Sequence, residues 1–374
     1  MKTNVLIVNN TLGEGGAEKV LVDVLNKFDY KKYNVKLLIL DNKGVHFNKL
    51  NKNVKLKYIY PNIQPKSKLG MKLWNCFKYR TMNHLYYFIY KLYAGMNNDV
   101  EIAFLEGEPT RFVSKSLNKK SKKIAWVHTD LEMCRPKEIN ELDRLVYSKF
   151  DDIICVSNSS KKVFDKLYSD LNKNTKVIYN IIDKNNINKL ANESIKFKSN
   201  KPIIISVGRL TQMKRFDLII KAHKEVINRG IDHELLILGV GPCKDSLVEL
   251  AQNLNVSESV KFLGYVQNPY PYIKYADIFI SASDFEGFSL VIAESIVLCK
   301  AIISTNNGGG TELLENGKYG QIINKDDLNS LSDEIYNILN NKKFKEDLEK
   351  KSSERSKIFN SDLVMNSIYK IIDM

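Results

Sequence analysis

The sequence predicts an α/β protein made of two doubly wound domains that face each other across a cleft. Short apolar runs bounded by turn residues alternate with stretches of helical periodicity through both halves of the chain. That alternation is typical of parallel sheets whose strands are joined by crossover helices. The length of 374 residues suits about two domains. A stretch rich in Asn and Lys, residues 180–202, interrupts the alternation.

The apolar runs give the predicted strands in order. In the first half they lie at Asn4–Asn9, Tyr33–Leu40, Val54–Tyr58, Val100–Phe104, Lys123–Val127, Asp152–Val156 and Lys176–Ile178. In the second half they lie at Ile203–Val207, Glu234–Leu238, Val260–Phe262, Ile278–Ser281, Ala301–Ser304 and Gln321–Ile323. We therefore expect an N-terminal domain over residues 1–180, a linker over 181–202, a C-terminal domain over 203–357 and a final helix over 358–374. Ligands of such sheets bind outside the carboxyl ends of the strands, so a site is expected in the loops that follow them.

The composition is that of a globular protein. Hydrophobic residues make up 44% and charged residues 27% of the chain, which excludes disordered and collagen-like classes. The five cysteines never form a C-x-x-C pair, so neither a disulfide framework nor a zinc module is predicted, and the expected compartment is the cytoplasm. No window approaches the roughly 18 uncharged apolar residues of a membrane span, and no signal peptide is predicted.

Positive charge is concentrated in the first half of the chain. Residues 1–200 contain 36 Lys and Arg against 20 Asp and Glu, whereas residues 201–374 contain 21 against 23. Residues 61–98 hold no acid but six cations among aromatic residues: Lys66, Lys68, Lys72, Lys78, Arg80 and Lys91, with Trp74, Phe77, Tyr79, Tyr86, Tyr87, Phe88, Tyr90 and Tyr93. This pattern favours a helix at an anionic membrane surface. The alternative is that the rings belong to the core and the lysines to a solvated face. Nucleic acid is not expected as a partner, because no nucleic-acid-binding motif accompanies the charge.

Two cations follow the first strand of the second half. After Ile203–Val207 the chain reads GRLTQMKR and then enters an amphipathic helix. Arg209 and Lys214 therefore lie at the carboxyl end of a strand, just before a helix N-terminus. A guanidinium, an ammonium and the helix dipole together suit a phosphate group. Surface salt bridges are the alternative.

An acidic stretch follows the strand Ile278–Ser281. Glu286 lies in the loop and Glu294 in the next helix, so both carboxylates can project into one cleft and accept bonds from sugar hydroxyls. Ser289 is a plausible N-cap for that helix. Backbone amides that could point at an anion come from Gly287, Phe288, Ser289 and Leu290. The alternative for Glu294 is a solvated acid near a helix N-terminus.

Two glycine-rich turns and one histidine complete the candidates. Gly15 and Gly16 open a helix after the first strand, and Gly308–Glu312 follows the strand Ala301–Ser304. Such turns can approach phosphate or can simply permit a tight bend. His128 ends a strand of the first half, where it is either functional or structural, and no two histidines have metal-ligand spacing.

Together these segments resemble the family 4 retaining glycosyltransferases, which have the GT-B fold of two Rossmann-like domains. The most specific match is Glu286–Glu294 within FEGFSLVIAE. Supporting matches are Gly208-Arg209 with Lys214, Gly239 and Gly241, Gly309-Gly310-x-Glu312, GGAEKVL at residues 15–21, His128 and Asn180–Asp183.

The resemblance implies a nucleotide-sugar donor, with a UDP-sugar as the expected class. By analogy Arg209 and Lys214 bind the diphosphate, Glu294 the ribose, and Glu286 and His128 the transferred sugar. The base would rest near Gly239 and Tyr265, and Gly15 and Gly16 would approach the phosphates or the acceptor. It also implies that residues 358–374 cross back to the first domain.

A bound metal ion is another possible source of positive charge for the diphosphate. Asp284-x-Glu286 has the outline of a metal-binding motif. However, Arg209, Lys214 and a helix N-terminus already offer positive charge to a departing diphosphate. We therefore expect neither a metal nor another cofactor.

The expected function is a metal-independent retaining glycosyltransferase that adds a sugar to a lipid-linked or cell-envelope glycan. It would be cytoplasmic and peripheral at the inner face of the cell membrane. The alternatives are a non-catalytic nucleotide-sugar-binding or scaffold subunit of a polysaccharide assembly complex, and a GT-B epimerase or phosphorylase.

Overall fold

A computed structural model describes residues 2–63, 65, 67–134, 140–195 and 197–373. The chain divides into two compact units. The first comprises Met1–Ile181 together with Asp362–Met374, and the second comprises Ile182–Ser361. Each is built on its own parallel sheet.

The first unit has a seven-stranded sheet with the order β3-β2-β1-β4-β5-β6-β7, in which all the strands run parallel. Its elements are β1 (Thr3–Asn9), α1 (Gly16–Lys27), β2 (Tyr33–Asp41), β3 (Lys55–Tyr60), α2 (Lys68–His84), α3 (Tyr86–Ile89), β4 (Val100–Ala103), α4 (Glu108–Ser114), β5 (Lys122–Val127), α5 (Leu131–Cys134), α6 (Asn140–Tyr147), β6 (Asp152–Cys155), α7 (Asn158–Leu167) and β7 (Thr175–Val177). A π-helical turn, Tyr90–Ala94, follows α3. Because the strand order reverses between β1 and β4, the loops after these two strands flank a crevice.

The second unit has a six-stranded parallel sheet with the order β10-β9-β8-β11-β12-β13. Its elements are α8 (Lys184–Leu190), β8 (Ile203–Val207), α9 (Phe216–Asn228), β9 (Glu234–Leu238), α10 (Lys244–Asn253), β10 (Val260–Gly264), α11 (Tyr270–Tyr275), β11 (Ile278–Ser281), α12 (Leu290–Val297), β12 (Ala301–Thr305), α13 (Gly309–Leu313), β13 (Gln321–Ile323), α14 (Leu328–Asn340) and α15 (Lys342–Arg355). Here the order reverses between β8 and β11. The fold class predicted from sequence, two doubly wound α/β domains, is confirmed.

The central strands of each sheet are nearly fully buried, which explains why their sequences read as continuous apolar runs. In β8 the first four residues are buried, and in β11 and β12 all of them are. Parallel strands covered by helices on both faces have this composition. The predicted strands therefore coincide with the observed ones, with small shifts at some ends.

The segment predicted as a linker contains a helix that packs on the second unit. Asp183 caps α8 by accepting a hydrogen bond from the Asn186 amide at 3.0 Å. Farther along, the Ser199 amide donates to the Tyr275 hydroxyl at 3.2 Å. A stretch of seven residues with weak periodicity does not predict a helix. This helix is stabilised by its cap and by tertiary packing, which the sequence pattern does not show.

The last helix, α16 (Ser361–Asp373), belongs to the first unit from Asp362 onward. Its Tyr369 ring stacks on Tyr33 with the ring centroids 5.1 Å apart. The Tyr33 hydroxyl donates to the Asp373 carboxylate at 2.9 Å, and the Lys122 ammonium donates to the Ile371 carbonyl at 2.7 Å. These contacts fix the helix against β2 and β5.

The aromatic residues of the segment 61–98 divide between core and surface. Tyr90 is fully buried, and Trp74 and Tyr86 pack against the hydrophobic core. Other large apolar side chains are exposed: Leu69, Met71, Leu73, Phe77, Tyr79, Leu85, Tyr87, Phe88 and Leu92. The alternative, in which the rings belong to the core, thus holds for Trp74, Tyr86 and Tyr90, whereas other rings of the segment are exposed.

The cations of this segment also differ in their surroundings. Lys68, Lys72, Arg80 and Lys91 are exposed. Lys78 instead points inward and donates to Asp41 at 2.5 Å. Lys66 lies outside the described residues.

Candidate active site

The predicted cations and the first predicted acid flank the crevice of the second sheet. Arg209 and Lys214 follow β8, and Glu286 follows β11, which are the two strands between which the strand order reverses. Ligands of open α/β sheets bind at this place. Arg209 is exposed, and its guanidinium forms no hydrogen bond or ion pair with any residue that the structure describes.

Lys214 and Glu286 form an ion pair across the crevice. The Lys214 ammonium lies 2.5 Å from Glu286 Oε1, and the side chains are 21% and 14% exposed. The Ser283 hydroxyl donates to the same oxygen at 2.9 Å. Because Oε1 accepts both bonds, Oε2 takes part in neither, and an ammonium has three protons to donate.

Arg215, the residue after Lys214, connects the two loops through its guanidinium. Its guanidinium pairs with Asp284 at 3.5 Å, with Asp217 at 3.2 Å and with Asp326. These partners, the hydrogen bond to Asp217 above all, raise the pKa of Arg215 above its usual value. The Asp284 amide also donates to the Met213 carbonyl at 2.8 Å. The β8 and β11 loops are thereby joined through side chains and backbone.

The loop that carries Glu286 is fixed on its other side by the turn after β12. The Glu286 amide donates to the Asn307 carbonyl at 2.9 Å, and the Gly309 amide donates to the Glu286 carbonyl at 2.9 Å. A side chain at Gly309 would put its Cβ 2.8 Å from that carbonyl oxygen. The glycine-rich turn therefore supports Glu286 by close backbone approach.

Helix α12 begins beside this loop. Ser289 lies at its N-cap position, but its hydroxyl makes no cap bond, which corrects the predicted capping role. The hydroxyl oxygen is buried and bonds to no residue in the described part of the chain. The first amides of a helix have no partner within the helix. Leu290 is half-buried, whereas Gly287 and Phe288 are buried.

Glu294 is 4% exposed rather than solvated. The Tyr270 hydroxyl donates to Glu294 Oε1 at 3.1 Å, and Tyr270 is itself 5% exposed. The two predicted carboxylates therefore lie in different surroundings. Glu286 is bonded to a cation and a hydroxyl, and Glu294 accepts a bond from a buried phenol.

Gly239 and Gly241 allow the loop after β9 to approach the loop after β8. A side chain at Gly239, where φ is +145°, would put its Cβ 1.8 Å from the Gly208 carbonyl oxygen. The corresponding Cβ at Gly241 would lie 2.3 Å from the Leu210 carbonyl oxygen. Tyr265, in the loop after β10, is 48% exposed. The loops after β8, β9 and β10 thus lie at the same edge of the sheet, where the strands have their carboxyl ends.

His128 lies at the carboxyl end of β5 in the first unit. One ring nitrogen bonds to the Phe104 backbone, and Nε2 is buried without a partner among the described residues. Burial lowers the pKa of His128 to about 3, so the imidazole is neutral at physiological pH. Its backbone amide donates to the Glu106 carboxylate at 3.1 Å.

Gly15 and Gly16 form the start of α1. Gly15 is its N-cap residue, with no side chain to cap the helix. Nearby at the end of β1, the Asn9 side chain donates to the Thr11 carbonyl at 2.8 Å, and its Oδ1 is buried without a partner among the described residues. The structure places Gly15, Gly16 and His128 together at the carboxyl edge of the first sheet.

Comparison with known proteins shows what the chain resembles. Residues 188–355 match the model of the family described as "Glycosyl transferases group 1". The second unit is therefore similar to the group 1 glycosyltransferases. The matched residues include Arg209, Lys214, Glu286 and Glu294.

Two proteins of Campylobacter jejuni are similar to this chain over nearly its whole length. N-acetylgalactosamine-N,N'-diacetylbacillosaminyl-diphospho-undecaprenol 4-alpha-N-acetylgalactosaminyltransferase is 29% identical over 93% of each chain. GalNAc-alpha-(1->4)-GalNAc-alpha-(1->3)-diNAcBac-PP-undecaprenol alpha-1,4-N-acetyl-D-galactosaminyltransferase is 25% identical over 100% of this chain and 98% of its own length.

Solved structures show the same fold over the whole chain. Anabaena HepE, crystallised with UDP and glucose, superposes with a TM-score of 0.78 at 18% identity and covers 99% of both chains. A glycosyltransferase from Rickettsia africae superposes with a TM-score of 0.76 at 19% identity and covers 99% of this chain and 98% of its own. The GT-B fold expected from the resemblance is confirmed.

Sequence reasoning missed several residues that shape this site. Ser283 follows β11 by two positions, so its place after a strand was a usable signal. Arg215 adjoins Lys214 but is engaged by three carboxylates. Tyr270 had no sequence signal, because only the packing of α11 brings its hydroxyl to Glu294.

Proposed function

We propose that this glycosyltransferase moves a sugar from a UDP-sugar to a lipid-linked or cell-envelope glycan, with retention of the anomeric configuration and without a metal ion. The observation that carries the proposal is the cluster at the crevice of the second sheet. There Arg209, Lys214 and the N-terminus of α12 offer positive potential beside the carboxylate of Glu286.

The diphosphate is assigned to the cations and to the first turn of α12. Negative charge grows on the leaving phosphate as the bond from the anomeric carbon to the phosphate oxygen breaks, and preorganised donors stabilise it. Arg209 is free to form a bidentate contact. The buried hydroxyl of Ser289 supports the assignment, because an unpartnered buried hydroxyl needs an acceptor or donor from a ligand.

We assign Glu286 to hydroxyls of the transferred sugar, and we assign His128 to hydroxyl binding at the carboxyl edge of the first sheet. Lys214 neutralises much of the charge of Glu286, so this carboxylate can accept bonds from sugar hydroxyls without strongly repelling the adjacent diphosphate. His128 bonds the Phe104 backbone with one nitrogen and has a neutral ring, so its Nε2 can accept a bond from a sugar hydroxyl. Glu294 is assigned to the ribose, and Gly239, Gly241 and Tyr265 to the surroundings of the base.

Retention is assigned to attack on the same face of the sugar that the diphosphate leaves. The acceptor oxygen forms the new bond to the anomeric carbon, and its proton passes to the departing phosphate oxygen. Glu286 and Glu294 are assigned to binding, and Asp284 pairs with Arg215; by the family resemblance the leaving group serves as the base. This step follows from the family resemblance and from the roles given to Glu286 and Glu294.

The acceptor class is suggested by the relatives. The two Campylobacter jejuni proteins carry printed names in which the acceptor is a sugar on diphospho-undecaprenol or PP-undecaprenol. Alignment over 93% or more of this chain supports an acceptor of the same class. The UDP bound to HepE supports the choice of base.

Such an acceptor places the enzyme at a membrane surface, and we assign that contact to the exposed face of α2 and the residues after it. Lys68, Lys72 and Arg80 are exposed on α2 near Leu69 and Leu73. Cations attract anionic headgroups, while apolar side chains enter the interface. No helix in the described part of the chain is long and apolar enough to cross a bilayer. On the basis of the proposed acceptor and of this exposed face, the location that we propose is the inner face of the cell membrane.

The proposal is tested by donor binding and transfer. A thermal-shift panel of UDP-, GDP- and ADP-sugars should show stabilisation by a UDP-sugar, since a ligand that binds only the native state raises its melting temperature. Arg209→Ala and Lys214→Ala should each slow transfer to a lipid-linked acceptor by about 100-fold or more. Lys342→Ala is the matched control, because that side chain is 87% exposed on α15.

Different outcomes separate the alternatives. Wild-type turnover in both variants would refute the assignment of the diphosphate. Binding of the donor without any transfer would support a non-catalytic subunit. Product formed without acceptor, or only with free phosphate, would indicate an epimerase or a phosphorylase.

A further inference from the structure

Tyr270 is a buried residue whose hydroxyl meets the carboxylate of Glu294. It is the first residue of α11, and its hydroxyl donates to Glu294 Oε1 at 3.1 Å. Both residues are at most 5% exposed. The bond therefore lies out of water, where a hydrogen bond to a charged acceptor is stronger.

We infer that Tyr270 is a positioning residue that orients Glu294 toward the ribose of the donor. The inference rests on the proposed function, in which Glu294 binds the ribose. The last torsion of a Glu side chain is broad and roughly two-fold, so an isolated carboxylate does not keep one orientation. A phenol fixed on Oε1 selects one orientation, and the plane of the carboxylate then follows from it.

The chemistry of the phenol suits this role. Tyr270 is a neutral donor, so its bond to Glu294 leaves the carboxylate its negative charge. A charged acceptor binds hydroxyl donors more strongly than a neutral one does. This contrasts with Glu286, whose partner Lys214 is a cation. Of the two carboxylates, Glu294 is thus oriented by a partner that does not neutralise it.

Tyr270 is itself held in place by Asn268. Asn268 Oδ1 accepts a hydrogen bond from the Tyr270 amide at 3.2 Å. Its side-chain amide donates to the Leu190 carbonyl at 2.9 Å and to the Glu193 carboxylate at 2.8 Å. The start of α11 is therefore tied to the end of α8, within the segment that opens the second unit. The orientation of Glu294 depends on this attachment through Tyr270.

The test compares UDP with 2′-deoxy-UDP in calorimetric titrations of the full chain. Wild type should prefer UDP, because Glu294 accepts a bond from a ribose hydroxyl. Tyr270→Phe removes one oxygen atom, and we expect it to weaken UDP binding by about tenfold, the size of one hydrogen bond to a charged group. It should weaken 2′-deoxy-UDP less, so the preference for UDP should shrink. Turnover at saturating donor should change little, whereas KM should rise.

A matched control lies in the same helix. Tyr275→Phe also removes a hydroxyl that forms hydrogen bonds, in that case with the backbone of Ser199. It should leave the ratio of the two dissociation constants at the wild-type value. The ratio is measured within one variant, so a loss of stability in Tyr270→Phe does not obscure it.

Glu294→Gln distinguishes failure of the inference from failure of the proposed function. If Glu294→Gln keeps the wild-type preference for UDP over 2′-deoxy-UDP, Glu294 does not bind the ribose and the proposed assignment is wrong. If Glu294→Gln loses the preference while Tyr270→Phe keeps it, the ribose assignment stands and Tyr270 does not position Glu294. Loss of preference in both variants, but not in Tyr275→Phe, is the expected result.

Discussion

Lys214 and Arg209 occupy one loop but meet different surroundings. The Lys214 ammonium is bonded to Glu286, whereas Arg209 is exposed and bonds to no described residue. Their roles toward a diphosphate should differ accordingly. In the proposed roles, Lys214 would both contact the phosphate and compensate the charge of Glu286, so its loss would also leave a carboxylate beside the anion. Arg209 would supply only the contact.

Metal removal tests the same charges. Asp284 and Glu286 have the spacing of a metal motif, but Asp284 pairs with Arg215 and Glu286 with Lys214. A divalent ion would have to displace these cations and would meet their repulsion. We therefore predict that excess EDTA leaves the rate of transfer unchanged in an assay with purified enzyme. Loss of activity in EDTA that is restored by an excess of a divalent ion such as Mn²⁺ would contradict the prediction.

At this scale the sequence indicated where functional side chains lie but not what they contact. Residues after parallel strands could be predicted because the carboxyl ends of the strands share one edge. The partner of Glu294 could not, since Tyr270 is 24 residues away along the chain. Likewise, Ser289 was a reasonable cap by residue type, yet its hydroxyl makes no cap bond.

Some helices are predictable from the pattern of their own sequence, whereas others form only through contacts with the rest of the fold. α9 and α14 have clear amphipathic patterns with buried faces, and such patterns are legible in sequence. α8 and α13 are only seven and five residues long. Short helices have little intrinsic stability. Arg355 helps to fix α13 by donating to the Leu313 carbonyl at 2.8 Å and to the Glu312 carbonyl at 3.2 Å.

A buried histidine pair joins α9 to the residue before β9 and predicts a dependence of stability on pH. His223 Nδ1 lies 2.8 Å from His233 Nε2, and His223 Nε2 lies 2.8 Å from the Ser259 hydroxyl. Burial, followed by the neighbouring His233, lowers the pKa of His223 to about 3. The ordinary histidine pKa in an unfolded chain is about 6.5.

The sign follows from these two pKa values. Between them the unfolded state binds a proton that the folded state does not, so the free energy of unfolding falls as the pH drops below about 6.5. The loss is at most about 1.4 kcal/mol per pH unit for this residue. Urea unfolding of wild type and His223→Gln at pH 7.5 and pH 5.5 measures it. Wild type should lose more stability than the variant on acidification, and equal losses would show that His223 does not titrate as expected.

At the scale of the whole molecule, charge and apolar exposure coincide in one region. The excess of cations lies in residues 1–200, and the largest run of exposed apolar side chains lies on α2 and the residues that follow it. Sequence composition predicted the charge. It could not predict which rings are exposed, because Trp74, Tyr86 and Tyr90 turn toward the core while Tyr79, Tyr87 and Phe88 do not. The structure thus shows which of the described side chains in the 38-residue segment 61–98 are exposed.

The membrane contact proposed for α2 can be tested by removing three cations from α2 and, in a control variant, three cations from α15. Lys68, Lys72 and Arg80 replaced together by Gln should weaken binding to vesicles that contain anionic lipid by about 3 kcal/mol, at about 1 kcal/mol for each cation near the surface. Lys342, Lys343 and Lys350 are exposed on α15. Their replacement by Gln lowers the net charge by the same amount and should leave vesicle binding unchanged.

Sedimentation with vesicles of increasing anionic lipid content measures both variants, and the melting temperature checks that each remains folded. Equal weakening in the two triple variants would mean that net charge alone attracts the protein to lipid. If neither variant is weakened, α2 does not form the membrane contact. We expect a defect in the α2 variant alone. Unlike α15, α2 combines exposed cations with the exposed side chains of Leu69, Leu73 and Tyr79. Once the cations have attracted the helix to the headgroups, this apolar surface can insert into the interface.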